Sequence, residues 1–231
     1  MLTTPLIDII IPAFNEQESI GKVIQDIPKE WVREIVVCNN NSTDQTKERA
    51  LEAGATVILA DQKGYGSACL KGIDYISQKT TPPDIVVFID GDYSDHPDQL
   101  PQLVDPIIHR EIDLVIGSRA LGQLESGAMQ YQQIFGNWLA TNLIRIFYQY
   151  EFTDLGPFRA IKFEKLLALK MEDPNYGWTV EMQVKAAKMG LKCCEVPVDY
   201  RRRIGQSKIS GTLKGTLLAG HKILWTIFKL I

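Results

Sequence analysis

The stretch Ile85-Val86-Val87-Phe88-Ile89-Asp90-Gly91-Asp92 decides both the fold and the chemistry predicted from this sequence. Five apolar, mostly β-branched residues are typical of a strand that is buried on both faces. Two carboxylates separated by one glycine follow directly. Because ligands of open α/β sheets bind beyond the carboxyl ends of the strands, we expect both acids at a ligand-binding crevice.

The paired acids Asp90 and Asp92 favour a bound cation. Two carboxylates at such a position repel each other unless a cation lies between them, and hard oxygen ligands suit Mg²⁺ or Mn²⁺. These ions commonly hold the phosphates of a substrate as well. We interpret the pair as a metal and diphosphate site. The alternative is an ordinary turn after a strand, since Asp-Gly and Asp-x-Asp are common turn sequences.

Strand and helix patterns alternate on both sides of this stretch. Apolar runs predict further strands at 6–11, 34–38, 56–59, 113–117 and 194–198, and Pro197 indicates an edge or a bulge for the last one. Helices are predicted at 15–24, 44–53, 68–77, 134–148, 163–170 and 180–189. We interpret four aromatic residues in and just after the fourth of these helices as core residues, the alternative being a lipid groove: Trp138, Phe147, Tyr148 and Phe152. The alternation predicts an α/β fold with a Rossmann-like, mainly parallel sheet flanked by helices.

Composition limits the classes of function. A chain of 231 residues, 45% of them hydrophobic, can form one domain with a substantial core. A net charge of −3 argues against a general nucleic-acid-binding protein. After Asp199 the chain has seven basic residues and no acidic one, which indicates that its end faces an anionic ligand or surface. The four cysteines lack zinc-ligand spacing and no signal-peptide pattern begins the chain, so we expect a reduced, cytoplasmic protein.

Seven motifs occur in an order that resembles the family 2 glycosyltransferases, which have the GT-A fold. Within that family the chain is most similar to the polyprenyl-phosphate mannosyl- and glucosyltransferases, over about residues 5–210. The motifs are Ile11-Pro12-Ala13-Phe14-Asn15-Glu16, Asn41-Ser42-Thr43-Asp44, Gly64-Tyr65-Gly66, Asp90-Gly91-Asp92, Gly117-Ser118-Arg119, Gly156-Pro157-Phe158-Arg159 and Glu195-Val196-Pro197-Val198. Each motif is weak alone, and their order makes the resemblance specific.

The resemblance implies an enzyme that transfers a hexose from a nucleoside diphosphate sugar to a polyprenyl phosphate with inversion, assisted by Mg²⁺ or Mn²⁺. It divides a single GT-A domain, residues 1–211, into a nucleotide-sugar half (1–119) and an acceptor half (120–211). The implied donor-binding residues are Pro12, Phe14, Asn15, Glu16, Asn40, Asp44, Gly64, Gly66, Asp90 and Gly91. Asp90 and Asp92 would flank the metal, with Asp92 as direct ligand and catalytic residue.

Asparagines 39–41 stand where the family usually has a pair of aspartates. A carboxylate there would accept from a ring N–H of the base, whereas a neutral amide can accept from N3–H of uracil and also donate to O4. Guanine offers two adjacent donors, which suit a carboxylate better. The asparagines therefore favour a UDP-sugar over GDP-mannose. The alternative is that they form a turn and a helix cap.

The usual catalytic base is also replaced. Many family 2 enzymes that glycosylate hydroxyl groups carry Glu-Asp ahead of a helix, where this chain has Trp178-Thr179. A phosphate acceptor is already anionic near neutral pH and needs no strong base. Glu181 resembles a glutamate of the polyprenyl-phosphate branch that would orient the acceptor, and the alternative is a solvated helix residue. Asp154 is a second candidate base, or else a turn or cap residue.

An anionic acceptor needs cations, and the planar fork of arginine suits bidentate contact with phosphate. The candidate acceptor-phosphate residues are Arg119, Arg159, Arg201, Arg203 and Lys208. The resemblance puts Arg119 and Arg159 near the acceptor phosphate, and residues 201–208 match a loop that in relatives closes over the donor. The alternative for arginines 201–203 is a solvated loop, in which at most two side chains point the same way.

The final residues, 212–231, have the pattern of a basic amphipathic helix. Leu217, Leu224 and Phe228 recur at helical spacing, with lysines on the opposite side. The lysines argue against a membrane span and favour a helix lying on the inner face of the membrane, near a lipid-borne acceptor. The alternative is packing on the protein's own domain or on a second subunit, which leaves a homo-oligomer open.

Two other functions remain open from the sequence. One is the same transfer to a soluble hydroxyl compound or a growing saccharide. The other is a nucleotide-sugar-binding module without turnover, against which the retention of Asp90 and Asp92 argues. The sequence names neither the sugar nor the nucleotide.

Overall fold

A seven-stranded sheet forms the centre of the computed structural model, which describes residues 5–205 and 213–231. Among these residues the strands are β1 (Ile7–Ala13), β2 (Glu34–Asn39), β3 (Thr56–Leu59), β4 (Ile85–Phe88), β5 (Leu114–Ser118), β6 (Arg159–Lys162) and β7 (Cys193–Pro197). The α-helices are α1 (Ile20–Asp26), α2 (Thr46–Glu52), α3 (Tyr65–Ser77), α4 (Leu100–Arg110), α5 (Tyr131–Tyr148), α6 (Phe163–Leu169), α7 (Trp178–Lys188) and α8 (Leu213–Lys229). All predicted elements are present, and the structure adds β6 and α4.

The sheet has the order β3-β2-β1-β4-β6-β5-β7, with β7 at one edge as Pro197 predicts. β6 pairs antiparallel with both β4 and β5, whereas the other neighbouring strands are parallel. The sequence pattern does not predict β6, because this strand has four residues and charged side chains at both ends, Arg159 and Lys162. Pairing on both of its edges makes it a strand. The mainly parallel α/β fold is confirmed.

Side chains of the central strands alternate between two apolar layers. Ile10 and Phe88 contribute to the layer that includes α3, α5 and α7. Ile9 and Val87 contribute to the opposite layer, with α1 and α4. β4 is buried along its whole length, as expected for a central strand covered on both faces. The parallel strands β1, β2 and β4 therefore end at the same edge of the sheet, where their loops meet.

α8 packs on the domain against α5 and α7. Ile227 is fully buried, and the Tyr148 hydroxyl donates to the Ile227 carbonyl oxygen at 2.5 Å. One side of this helix thus follows the packing alternative, while Trp225 and Phe228 on its other side are exposed. In the part of the chain that the structure describes, no helix has the length and apolar character needed to cross a membrane.

An exposed apolar surface extends across two helices. We call it the α5/α8 face and define it as Phe135, Trp138, Ile146 and Phe147 of α5 with Trp225 and Phe228 of α8. The rings of Phe147 and Phe228 lie 5.5 Å apart, so the exposed side chains of the two helices meet at this point. The interpretation of the aromatic residues as core residues is confirmed for Phe152 and for the partly buried Tyr148. It is wrong for Trp138 and Phe147, whose exposed fractions are 58% and 44%.

Gly72 of α3 is predicted to be intolerant of a side chain. A Cβ atom there would lie 2.7 Å from Cγ2 of Ile10 and 2.9 Å from Sγ of Cys38. Gly72→Ala should lower the free energy of unfolding by about 1–3 kcal/mol through overpacking. Gly21→Ala in α1 is the control, since its Cβ would meet no atom within 4 Å and should stabilise by about 0.5–1 kcal/mol. Urea titration measures both, and equal unfolding free energies would contradict the prediction.

Candidate active site

Asp90 and Asp92 lie at the boundary of two adjoining cavities, at the carboxyl end of β4. The first cavity has a volume of about 360 Å³ and opens beside the ends of β1 and β2. The second, of about 300 Å³, lies among α5, α8 and the start of α7. The residues that line both cavities are Tyr65, Asp90, Asp92, Tyr176 and Arg203. Ligands in the two cavities would therefore meet at this pair of acids.

The two acids have different surroundings. Oδ1 of Asp90 accepts a hydrogen bond from the Tyr65 hydroxyl at 2.9 Å. Burial, and next the charge of Asp92, raise the pKa of Asp90 to about 7. Oδ1 of Asp92 accepts from the backbone N–H of Ser94 at 2.9 Å and from the Ser94 hydroxyl at 2.5 Å. The Asp92 side chain is thus fixed by hydrogen bonds within its own turn. Asp90 lines both cavities, and the negative charge of Asp92 opposes its ionisation.

Arg203 bridges the acids of two loops. Its Nη1 lies 3.1 Å from Oδ2 of Asp92, and its Nη2 lies 3.0 Å from Oε1 of Glu16. The buried Nε has no hydrogen-bond partner among the described residues. We expect Arg203 at the acceptor phosphate from the sequence, and the structure puts its guanidinium between the two cavities. Its positive charge offsets part of the repulsion between Asp90 and Asp92.

The donor chemistry at Asp90 and Asp92 fits a divalent cation that is shared with a ligand. Within the described residues no group of three His, Cys, Asp or Glu side chains could hold an ion alone. Mg²⁺ is usually bound by one or two carboxylates together with substrate phosphates, which is the arrangement two acids can complete. Nearby Asp95 is buried, and neither of its carboxylate oxygens has a hydrogen-bond partner in the described part of the chain. Burial, and next the charges of Asp90 and Asp92, raise the pKa of Asp95 well above its usual range, so added positive charge would relieve this part of the site.

Most of the predicted donor-binding residues line the first cavity. Those that do are Pro12, Phe14, Glu16, Asn40, Gly64, Asp90 and Gly91. Asn15 and Asp44 support its walls instead: Oδ1 of Asn15 accepts from the N–H of Thr43 at 2.8 Å, and Oδ1 of Asp44 accepts from the N–H of Thr46 at 3.0 Å. Lys63, Asn175 and Tyr176 also line the cavity, and the sequence patterns do not predict them.

The side chain of Asn40 is committed to the loop beside it. Its Nδ2 donates to the carbonyl oxygens of Ala60 at 3.1 Å and Gln62 at 2.7 Å, and its Oδ1 accepts from the N–H of Gly64 at 2.8 Å. Asn41 likewise donates to backbone carbonyl oxygens. Asn40 and Asn41 thus follow the turn of the alternative interpretation, and in this conformation their side-chain amide groups donate to backbone carbonyl oxygens instead of to a base. The preference for uracil loses this support.

Arg119 is the cationic residue that lines the second cavity together with Arg203. It makes a bidentate contact with Asp154, with Nε and Nη2 each 2.7 Å from a carboxylate oxygen. Burial alone would lower the pKa of Arg119, but the charge and hydrogen bonds of Asp154 raise it. The ring of Tyr200 lies 5.0 Å from the Arg119 guanidinium. Asp154 therefore orients this arginine, and its carboxylate is committed to that contact instead of being available as a base.

The other predicted cations lie elsewhere. Arg159 is fully buried and donates to the carbonyl oxygens of Gly156, Leu155 and Thr179. Burial lowers the pKa of Arg159 to about 10, and its guanidinium offers no surface to a phosphate in this conformation. Arg201 donates to backbone oxygens of the turn that follows Asp92 and stacks on the Tyr93 ring. Lys208 lies outside the described residues.

Glu181 also has a different position from the one its resemblance implies. It is 4% exposed, lines neither cavity, and accepts from the N–H groups of Glu172 and Asp173 at 2.8 to 3.2 Å. Lys185 pairs with it at 2.7 Å. Its carboxylate therefore fixes a loop.

That loop, residues 172–177, contributes to the lining of both cavities, and we call it the shared wall. Asn175 lines the first cavity and Tyr176 lines both. The wall packs against the N-terminus of α3, where Ser67 donates from its N–H to the Pro174 carbonyl oxygen at 2.9 Å. A Cβ atom on Gly66 would lie 1.9 Å from the carbonyl oxygen of Asp173. Gly66, a predicted donor residue, therefore allows this close packing.

Comparison with known proteins agrees with this architecture. The family model described as Glycosyl transferase family 2 matches residues 8–169. An uncharacterized glycosyltransferase of Mycobacterium tuberculosis is 34% identical, over 92% of this chain and 94% of the relative. The undecaprenyl-phosphate mannosyltransferase of Micrococcus luteus is 30% identical, over 89% of this chain and 88% of the relative.

A solved structure has the same fold. It is the glucosyl-3-phosphoglycerate synthase of Mycobacterium tuberculosis, crystallised with Mn²⁺, UDP-glucose and phosphoglyceric acid. The TM-score is 0.78 at 24% sequence identity, and the match covers 98% of this chain and 79% of the other.

The Arg119–Asp154 pair should be strongly coupled in a double-mutant cycle. Arg119→Ala leaves a buried carboxylate without its partner, which should cost about 3–5 kcal/mol of unfolding free energy. The coupling energy of the cycle with Asp154→Ala should be about 1.5–3 kcal/mol. The exposed pair Arg202–Glu125, at 3.8 Å, is the control and should give below about 1 kcal/mol. Denaturant titration measures both cycles, and similar coupling energies would contradict the assignment.

Proposed function

The chain belongs to glycosyl transferase family 2 and is a glycosyltransferase with the GT-A fold, and we propose that it moves a hexose from a nucleoside diphosphate sugar to a polyprenyl phosphate. The observation that carries this proposal is that Asp90 and Asp92 line both cavities. A transfer reaction needs two ligands whose reacting atoms meet at one set of charges. The donor would occupy the first cavity and the acceptor the second.

The donor assignment follows from the lining of the first cavity. Pro12 and Phe14 offer apolar surface to a base and ribose, and Asp90 and Asp92 in the same lining would hold the cation that binds the diphosphate. A divalent cation there would stabilise the charge that develops on the leaving diphosphate. The UDP-glucose and Mn²⁺ bound by the synthase of the same fold support a UDP-sugar as the first donor to test.

The acceptor assignment follows from the charges of the second cavity. Apart from Asp90 and Asp92, its described lining contains no carboxylate that could deprotonate a hydroxyl group, whereas Arg119 and Arg203 both line it. A phosphate oxygen is already ionised and needs no base. This balance of charges favours a phosphate over a hydroxyl acceptor. The undecaprenyl-phosphate mannosyltransferase among the relatives supports a polyprenyl phosphate.

In the proposed step an oxygen of the acceptor phosphate attacks the anomeric carbon from the face opposite the diphosphate. The bond between that carbon and the diphosphate oxygen breaks, its electron pair leaves with the nucleoside diphosphate, and the configuration inverts. Arg119, held by Asp154, would orient the attacking phosphate. Arg203 would add positive charge beside the departing group, since it already pairs with Asp92 and Glu16.

A lipid-borne acceptor requires a surface that meets the membrane, and the α5/α8 face fits the surface of an anionic bilayer. The second cavity opens between the same two helices, lined by Gly136 of α5 and Ala219 of α8. Neither helix contains an acidic residue, and their last turns carry the basic residues Arg145 and Lys229. Apolar side chains beside cations are the pattern of an interfacial helix.

Asp92→Asn should abolish transfer with little change in stability. Its oxygen can still accept from Ser94, Arg203 keeps its ion pair with Glu16 when it loses the one with Asp92, and one charge fewer relieves the repulsion at Asp90. The assay incubates the protein with Mn²⁺, labelled UDP-sugars and undecaprenyl phosphate and measures label extracted into butanol. Asp98→Asn, whose side chain is 65% exposed, is the control. Metal-dependent transfer by Asp92→Asn would contradict the metal site, and label appearing only in water-soluble products would favour a soluble acceptor.

The α5/α8 face should determine membrane association. Trp138→Gln with Trp225→Gln removes two indole rings from the face and should lower the fraction that pellets with anionic liposomes severalfold, because buried apolar area holds an interfacial helix. Leu51→Gln on α2, also about half exposed (50%), is the control. Cosedimentation of the double variant at the level of the wild type would refute this surface.

A further inference from the structure

We propose that Lys222 of α8 and Asp173 of the shared wall are positioning residues for the donor cavity. Nζ of Lys222 lies 2.9 Å from Oδ2 of Asp173, and the Asp173 side chain is 6% exposed. The inference rests on the proposed function, because it names what gives the donor side of that site its shape. The ion pair joins a C-terminal helix to a loop that lines the nucleotide cavity.

Asp173 organises the shared wall from inside. Its Oδ1 accepts from the N–H of Asn175 at 2.8 Å and from the N–H of Gly177 at 3.2 Å, so one carboxylate oxygen fixes the turn that carries Asn175 and Tyr176. The other oxygen is the one that meets Lys222. A buried carboxylate that loses its cationic partner is costly, and its loop is expected to rearrange to reach solvent.

The wall transmits its position to the donor cavity through close backbone packing. Beyond the Ser67 to Pro174 hydrogen bond, a Cβ atom on Gly64 would lie 2.1 Å from the Pro174 carbonyl oxygen. Gly64 and Tyr65 line the first cavity. A shift of residues 173–175 would therefore alter two sides of the nucleotide cavity at once, the wall itself and the start of α3.

Lys222, the other member of the ion pair, lies on α8, and α8 is fixed to the rest of the domain by several contacts. Besides the Tyr148 bond to Ile227, the Lys188 ammonium group donates to the carbonyl oxygen of Leu230. A Cβ atom on Gly177 would lie 2.5 Å from Oγ1 of Thr226, so the wall and α8 are in direct contact. Lys222 thus belongs to a helix that is fixed to the rest of the domain, so its ammonium group can hold the Asp173 carboxylate in one position.

Three variants separate positioning from simple stability. Lys222→Met removes the charge while keeping most of the side-chain length, Lys222→Arg keeps the charge, and Lys229→Met removes an exposed charge from the same helix. The first readout is hydrogen exchange of residues 172–178 without any ligand. The second is the dissociation constant of UDP in the presence of Mn²⁺, measured by calorimetry.

We expect Lys222→Met to speed exchange in residues 172–178 and to weaken UDP binding about three- to thirtyfold, the range of coupling between contacting residues. Lys222→Arg should keep both the exchange rate and the UDP affinity near their wild-type values, and Lys229→Met should change neither. Unchanged exchange or unchanged UDP affinity in Lys222→Met would overturn the inference. Binding of UDP by the wild-type protein in the same experiment would leave the proposed function intact. Failure of the wild type to bind UDP or any other nucleoside diphosphate would overturn the proposed function and the inference with it.

Discussion

The repulsion between two carboxylates at the end of one buried strand is the constraint on which the rest of the site depends. β4 is buried throughout, and Asp90 and Asp92 follow it directly, where little water reaches them. Their negative charges must therefore be offset by groups from elsewhere in the chain. Arg203 comes from the segment after β7 and Arg119 from the segment after β5. The far end of the sequence therefore completes a site that begins near its centre.

Several polar and charged side chains that could bind a ligand instead hold parts of the protein itself in place. Glu181 holds the shared wall, Asp154 holds Arg119, and Asn40 holds the segment before α3. Each is buried, and a buried polar group is tolerated only where its hydrogen-bonding atoms are matched. The hydrogen bonds and ion pairs that these side chains need are made to the segments around the two cavities, and they fix those segments in place. Ligand-facing groups such as Arg119 consequently have their geometry set before any ligand arrives.

The sheet and the position of the acids follow from local patterns, because an apolar run and the turn after it are encoded within a few neighbouring residues. The contacts that complete the site join residues far apart in the chain. Gly66 meets Asp173, a relation that no spacing rule reveals. Arg159 has the same motif context whether its guanidinium faces phosphate or backbone carbonyl oxygens. The aromatic spacing of α5 is equally compatible with a buried or an exposed face, and the tertiary packing leaves Trp138 exposed.

Tyr176 lines both cavities from one short loop, and this has a consequence for attempts to redesign the enzyme. Residues that contact a common neighbour rarely respond additively to substitution. A library that varies Tyr176 in search of a new acceptor would also change the surroundings of the nucleotide, so gains on one side would be obscured by losses on the other. Residues that line a single cavity, Met129 on one side and Lys63 on the other, offer independent starting points for altering each partner.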